Sequence, residues 1–148
     1  MSVAPSSEPT EVCPGCRAVL VQVADDGTAP PGASRSCRRL YEVTLHGLRE
    51  EAAADTATAA VLRQADAAYD AQHPVIGDPV RLREALGRLG VPLDTAAADD
   101  GLPAAPHAWR TTIADVAADL DVIDLAVLVD TWARAVHDDW RGATTARR

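Results

Sequence analysis

The sequence predicts a mainly α protein, a small helical bundle with an N-terminal Cys-x-x-Cys loop. Three observations predict it. Apolar residues recur at three- and four-residue intervals in four separate stretches, the period of a helix with one buried face. Alanine, the best helix former, is abundant and adds little volume, so helices pack closely. The run Cys13-Pro14-Gly15-Cys16 stands ahead of all four stretches, with Pro-Gly supplying a tight turn between two thiols.

Taken in order, residues 1–10 are rich in Ser, Pro and Glu and are expected to be a disordered tail. One domain is then expected over 11–141, followed by a frayed tail over 142–148. After the Cys-x-x-Cys loop, the run Ala18 to Val23 reads as a strand or extended segment. Residues 25–32 form a loop. A first helix near 36–54 can be capped by Ser34 or Ser36, with Leu40, Tyr41, Thr44, Leu45 and Leu48 facing inward. Asp55 or Thr56 caps a second helix near 57–73, whose inner face is Val61, Ala65, Ala68, Tyr69 and Gln72. Pro74 ends it, because the residue before a proline avoids helical angles. Asp78-Pro79 opens a third helix near 79–89, apolar through Val80, Leu82, Leu86 and Leu89 and stopped by Gly90. Residues 91–108 read as loop, with an Asp-Asp-Gly turn, and 111–116 as a short helix or turn. The last helix, near 122–141, carries Leu125, Leu128, Trp132, Val136 and Trp140 on one stripe, which makes it the centre of the core. Asp130 and Arg134 pair on its other face.

Composition narrows the function classes. The chain has 148 residues, 47% of them hydrophobic, enough for one core built without Phe. Its formal charge is −8, a field that repels phosphate backbones and anionic membranes. Nucleic acid and membrane are therefore not expected partners, which leaves a protein or a small molecule. No stretch reaches the roughly 20 apolar residues of a membrane span, and the N-terminus lacks the basic start of a signal peptide. The expected location is the cytoplasm, where thiols stay reduced. There is no Lys and no Asn, and heavy use of Ala, Arg, Gly, Pro, Asp and Val points to a GC-rich, actinobacterial source.

Three cysteines cannot close into a disulfide framework, so metal binding or a free thiol remains. Zinc prefers thiolate and imidazole and takes four ligands in a closed site. Cys13 and Cys16 supply two, Cys37 lies in the first turn of the first helix, and His73 ends the second helix near its inner face. The candidate metal ligands are therefore Cys13, Cys16, Cys37 and His73, and the candidate cofactor is zinc. A redox reading of Cys-Pro-Gly-Cys needs a strand before and a helix after it in a βαβ pattern, which is not present. A zinc deaminase needs a His-x-Glu motif, also missing. Asp66, Asp70 and His73 share a helix face, which reads as solvated because no second acidic helix is evident to face it. His46 and His137 read as surface residues. The candidate pocket residues are Tyr69, Gln72, His107, Trp109 and Trp132.

At these residues the chain resembles an uncharacterised bacterial family, mainly actinobacterial and described only as a domain of unknown function. The resemblance is carried by Cys13-Pro14-Gly15-Cys16, by Gly32-Ala33-Ser34-Arg35-Ser36-Cys37, by Tyr69-Asp70-Ala71-Gln72-His73-Pro74 and by the Trp-rich run from Thr131 to Trp140, in order from residue 11 to 141. It implies a cysteine-rich metal site and a helical fold, and no known reaction. Where family members carry a further His, this chain has Leu62; where they carry a His-His pair, it has Arg141-Gly142-Ala143. Any activity resting on those histidines is then missing here.

Two functions follow. One is a binding or accessory protein stapled by a closed, structural Cys₃His zinc. The other is a metal-dependent enzyme in which Cys13, Cys16 and one further ligand leave a position open. A partner subunit of a larger, biosynthetic complex is a third. No nucleophile–base–orienter set is legible, which favours the first.

Overall fold

The computed structural model describes residues 8–24, 29–93 and 104–145. Among them are one hairpin, β1 (Thr10–Val12) and β2 (Val19–Val21), and five helices: α1 (Arg35–Ala52), α2 (Thr56–Gln72), α3 (Pro79–Leu89), α4 (Ile113–Asp119) and α5 (Leu125–Thr145). The fold is mainly helical. The strands run antiparallel, with Thr10 opposite Val21 and Val12 opposite Val19, and their turn is the Cys-x-x-Cys loop. The second helix is the hub, packed against α1, α3 and α5; α4 bridges α1 and α5, and the hairpin rests on α1.

Local chemistry sets the helix ends. The Ser34 hydroxyl accepts from the Cys37 amide, Asp55 from Ala57, and Asp78 from Arg81 with Pro79 following it. Gly90 closes α3 in the left-handed conformation, φ 79°. Thr112 and Asp115 form a reciprocal capping box on α4. Ser36 has a different job: its amide and hydroxyl both donate to the Glu11 carboxylate, which ties β1 to the start of α1.

The core mixes many small side chains with a few large ones, among them two indoles and the buried Tyr41 and Tyr69. Ala65, Ala67, Ala68 and Ala71 let α2 approach its neighbours, and Trp132 and Trp140 of α5, both fully buried, fill what remains. Several boundaries differ from the sequence expectation. Val80 is exposed, because α3 turns its Leu82–Ala85–Leu86 face to the core instead. Val122 and Ile123 form a turn, both donating to the Asp119 carbonyl, so α5 starts later, at Leu125. That helix runs to Thr145, past Gly142, which is not left-handed and does not stop it. Thr10, assigned to the tail, pairs in β1. The tail's first seven residues and the Asp-Asp-Gly turn lie outside the described residues. No helix among the described residues is long and apolar enough to cross a membrane.

Candidate metal centre

Three pieces of chain bring the four donors together. β1 ends at Val12 and delivers Cys13 into a knuckle, where Cys13 N–H donates to Ala18 at 2.9 Å and Arg17 N–H to the Cys13 carbonyl at 3.0 Å. Arg17, which follows the second cysteine of the knuckle, has φ 69°. Cys37 sits in the first turn of α1 and His73 at the C-cap of α2. The sulfurs of Cys13, Cys16 and Cys37 and a ring nitrogen of His73 lie within 4.8 Å of one another. Cys16 Sγ is 3.8 Å from Cys37 Sγ, and Cys37 Sγ is 3.3 Å from His73 Nε2. All three cysteines are free.

Two glycines permit this convergence. A Cβ on Gly15 would stand 2.6 Å from the Gly32 carbonyl oxygen and from the His73 ring. Gly32 has φ 79°, and a Cβ there would meet the His73 and Pro74 carbonyl oxygens at 2.9 Å. The knuckle and the 29–34 loop therefore lie directly on the end of α2.

Tyr69 orients two donors at once. Its backbone carbonyl takes the Nδ1 proton of His73 at 2.6 Å, which leaves Nε2 with its lone pair toward the sulfurs. Its hydroxyl lies 3.5 Å from Cys37 Sγ, placed to donate to a thiolate. Its ring stacks on His73 and on Tyr41, both at 3.9 Å between centroids, and the Arg38 guanidinium lies over both tyrosines. The sequence reading missed this column. Its signal was Tyr69 four residues before His73, one helical turn away.

Without a cation the three thiols cannot ionise together. Cys13 holds the charge: hydrogen bonds from the Cys16 and Cys37 thiols keep its pKa far below that of an ordinary thiol. Donation to Cys13 pushes the Cys16 thiol up to about 11, and donation to Cys13 and Cys16 raises Cys37 as well. Burial, then the Cys37 contact, raises the Tyr69 phenol, which stays a donor. A dication relieves the conflict, because its two positive charges offset two of the three thiolate charges and leave the site at −1. The linkage has a definite sign. Cys13, depressed below 9.0, stabilises the metal-free fold in full above pH 9 and progressively less below it. Cys16, raised, contributes in full below pH 9 and loses its contribution as pH rises through about 11. Urea midpoints taken with chelator and reductant are therefore expected to fall as pH rises from 9 through 11. With metal bound, the alkaline fall disappears.

The candidate pocket residues do not share one cavity. Gln72 and Trp132 are fully buried core residues: the Trp132 indole donates to Gln72 Oε1 at 3.0 Å, and Gln72 Nε2 donates to the Thr111 carbonyl at 2.6 Å. The Trp109 indole is spent on the Gly15 carbonyl at 3.0 Å. Tyr69 lines a small hollow of about 210 Å³ with Arg38, Asp70, His73 and Arg81. His107 lines a separate, larger one. The Asp66 and Asp70 carboxylates pair with Arg49 at 2.7 Å and Arg81 at 3.4 Å. Arg134 pairs with Asp130 at 2.9 Å.

A family model described as a family of unknown function (DUF5946) matches residues 11–96. That segment contains all four donors and ends before α4 and α5, short of the residue 141 that the motifs reach. Comparison with curated proteins and with solved structures gives no match.

Proposed function

The chain belongs to this family of unknown function, DUF5946, and from that premise we propose that it is a cytoplasmic binding or accessory protein held together by one structural zinc ion. Cys13, Cys16, Cys37 and His73 are the ligands. The burial of the donors carries this reading: their residues are 0%, 2%, 0% and 5% exposed. A closed tetrahedral site is buried in this way, whereas a catalytic one keeps a face open to substrate. Spacing supports the same ion. Zinc bonds of about 2.3 Å to sulfur and 2.0–2.1 Å to nitrogen put tetrahedral neighbours about 3.8 Å and 3.6 Å apart. Two of the six separations, Cys16–Cys37 at 3.8 Å and Cys37–His73 at 3.3 Å, are near these values, and all six lie within 4.8 Å. Three thiolates and an imidazole are a soft set that suits zinc and disfavours magnesium or calcium. The accessory role rests on the outer face of the hairpin, where Val12, Val19 and Val21 stay exposed beside one another.

A second reading, a metal-dependent enzyme with an open zinc position, has one observation in its favour. The hollow of about 210 Å³ reaches His73 and Tyr69. The acid available there, Asp70, is already engaged by Arg81. The purified chain is expected to carry about one zinc by elemental analysis, with three sulfurs, one nitrogen and no oxygen by X-ray absorption. A water-type oxygen in that shell supports the enzyme instead. No zinc after purification without chelator overturns both.

A further inference from the structure

A hollow of about 570 Å³ opens beside the metal knuckle. Its walls are the turns that flank the donors: Pro14 and Arg17 from the knuckle, Pro74, Val75 and Ile76 from the turn after His73, and His107 from the segment before Trp109. Two properties set it apart. The walls are apolar and stiffened by proline, and Ile76 stands 104% exposed at the rim, an apolar side chain the core does not use. The charge is one-sided as well. Among the described residues, Arg17 and His107 are its ionisable lining residues and no carboxylate lines it, although the whole chain carries −8.

Arg17 is itself unexpected where it stands. Its φ of 69° is a conformation that glycine adopts freely and arginine does not. Among the described residues no ion pair engages its guanidinium. An exposed cation without an ion-pair partner among the described residues, beside an apolar hollow, points to an anionic ligand.

We infer that this hollow binds a small carboxylate with an apolar body. The carboxylate meets the Arg17 guanidinium and the His107 ring, and the hydrocarbon lies against Pro14, Pro74 and Val75. The volume falls within the roughly 300–1,000 Å³ of small-molecule sites. Charge complementarity selects an anion over a neutral or cationic ligand of equal length. This inference goes beyond the structural-zinc reading and does not depend on the identity of the ion.

The test titrates octanoate into the full, metal-loaded chain, followed by amide chemical shifts and calorimetry, with octanol and octylammonium as comparators. Octanoate is expected to saturate near ~1 mM or tighter, the range for about ten heavy atoms. Shifts should centre on Gly15, Arg17, Ile76 and His107, and both comparators should bind at least about tenfold more weakly. Arg17→Gly is the informative variant, because glycine accepts the left-handed backbone and the fold is not weakened. It should lose about tenfold in octanoate affinity with metal content and melting temperature undiminished. Equal binding of octanol, absence of saturation, or an unchanged affinity in Arg17→Gly overturns the inference. Metal content, measured on the same samples, reports separately on the zinc reading.

Discussion

Cys16→Ser and His73→Ala are expected to lose stoichiometric metal and to melt far below the parent. Structural zinc contributes on the order of 10–16 kcal/mol in small domains, because its binding energy is folding energy. A variant that no longer holds the ion forfeits that contribution. A domain of this size has about 5–15 kcal/mol in all, so either variant approaches the threshold of unfolding. The two sites act through different elements: Cys16 holds the knuckle, and His73 holds the end of α2. Both should therefore resemble the parent in chelator, and chelator should change them little further. His46→Ala is the control. Its ring is exposed and pairs only with Glu50 on the same helix at 3.1 Å, so its effect should stay within about 0.5 kcal/mol. Thermal melts with and without chelator measure all three. Ligand variants that melt like the parent would exclude a structural role for the ion.

Trp132→Ala is expected to cost about 3–5 kcal/mol while leaving the metal in place. The indole is fully buried at the contact of α5 with α2, and its loss leaves a cavity that neighbouring alanines are too short to fill. It also leaves Gln72 Oε1 buried without its donor, a further cost of about 1–3 kcal/mol if no water enters. Trp132→Phe separates the two effects by keeping most of the volume and removing the N–H. The melting temperature of Trp132→Ala should drop by roughly 10 °C or more. Zinc content near one per chain distinguishes this loss from that of the ligand variants, since none of the four donors is on α5.

Helix ends were legible because each is written in adjacent residues. Ser34, Asp55, Asp78-Pro79 and Gly90 act locally, and a local rule reads them. The candidate donors were legible for a different reason: the chain has only three thiols, and of its four histidines His73 alone stands at the end of the second helix before a proline. What escaped was long-range. A three-residue strand, Thr10–Val12, has too few positions to show a period, and it exists because Val19–Val21 lies opposite. Gln72 and Trp132 are candidate pocket residues by sequence, and in the fold the Trp132 indole donates to Gln72 across 60 residues of chain. The need for glycine at 15 and 32 arises only when the knuckle meets the end of α2.

The three tryptophans of this chain converge on one place. The Trp132 indole donates to Gln72, that of Trp140 to the Ala71 carbonyl at 3.1 Å, and that of Trp109 to the Gly15 carbonyl, all within a few residues of a metal donor. The chain has no other tryptophan. Its intrinsic fluorescence is thus a built-in reporter of the candidate metal centre. Emission wavelength and quantum yield follow the hydration and polarity around exactly those indoles that clasp the knuckle and the end of α2. Stopped-flow emission after mixing with chelator would time the departure of the ion and the opening of the knuckle in one unlabelled trace.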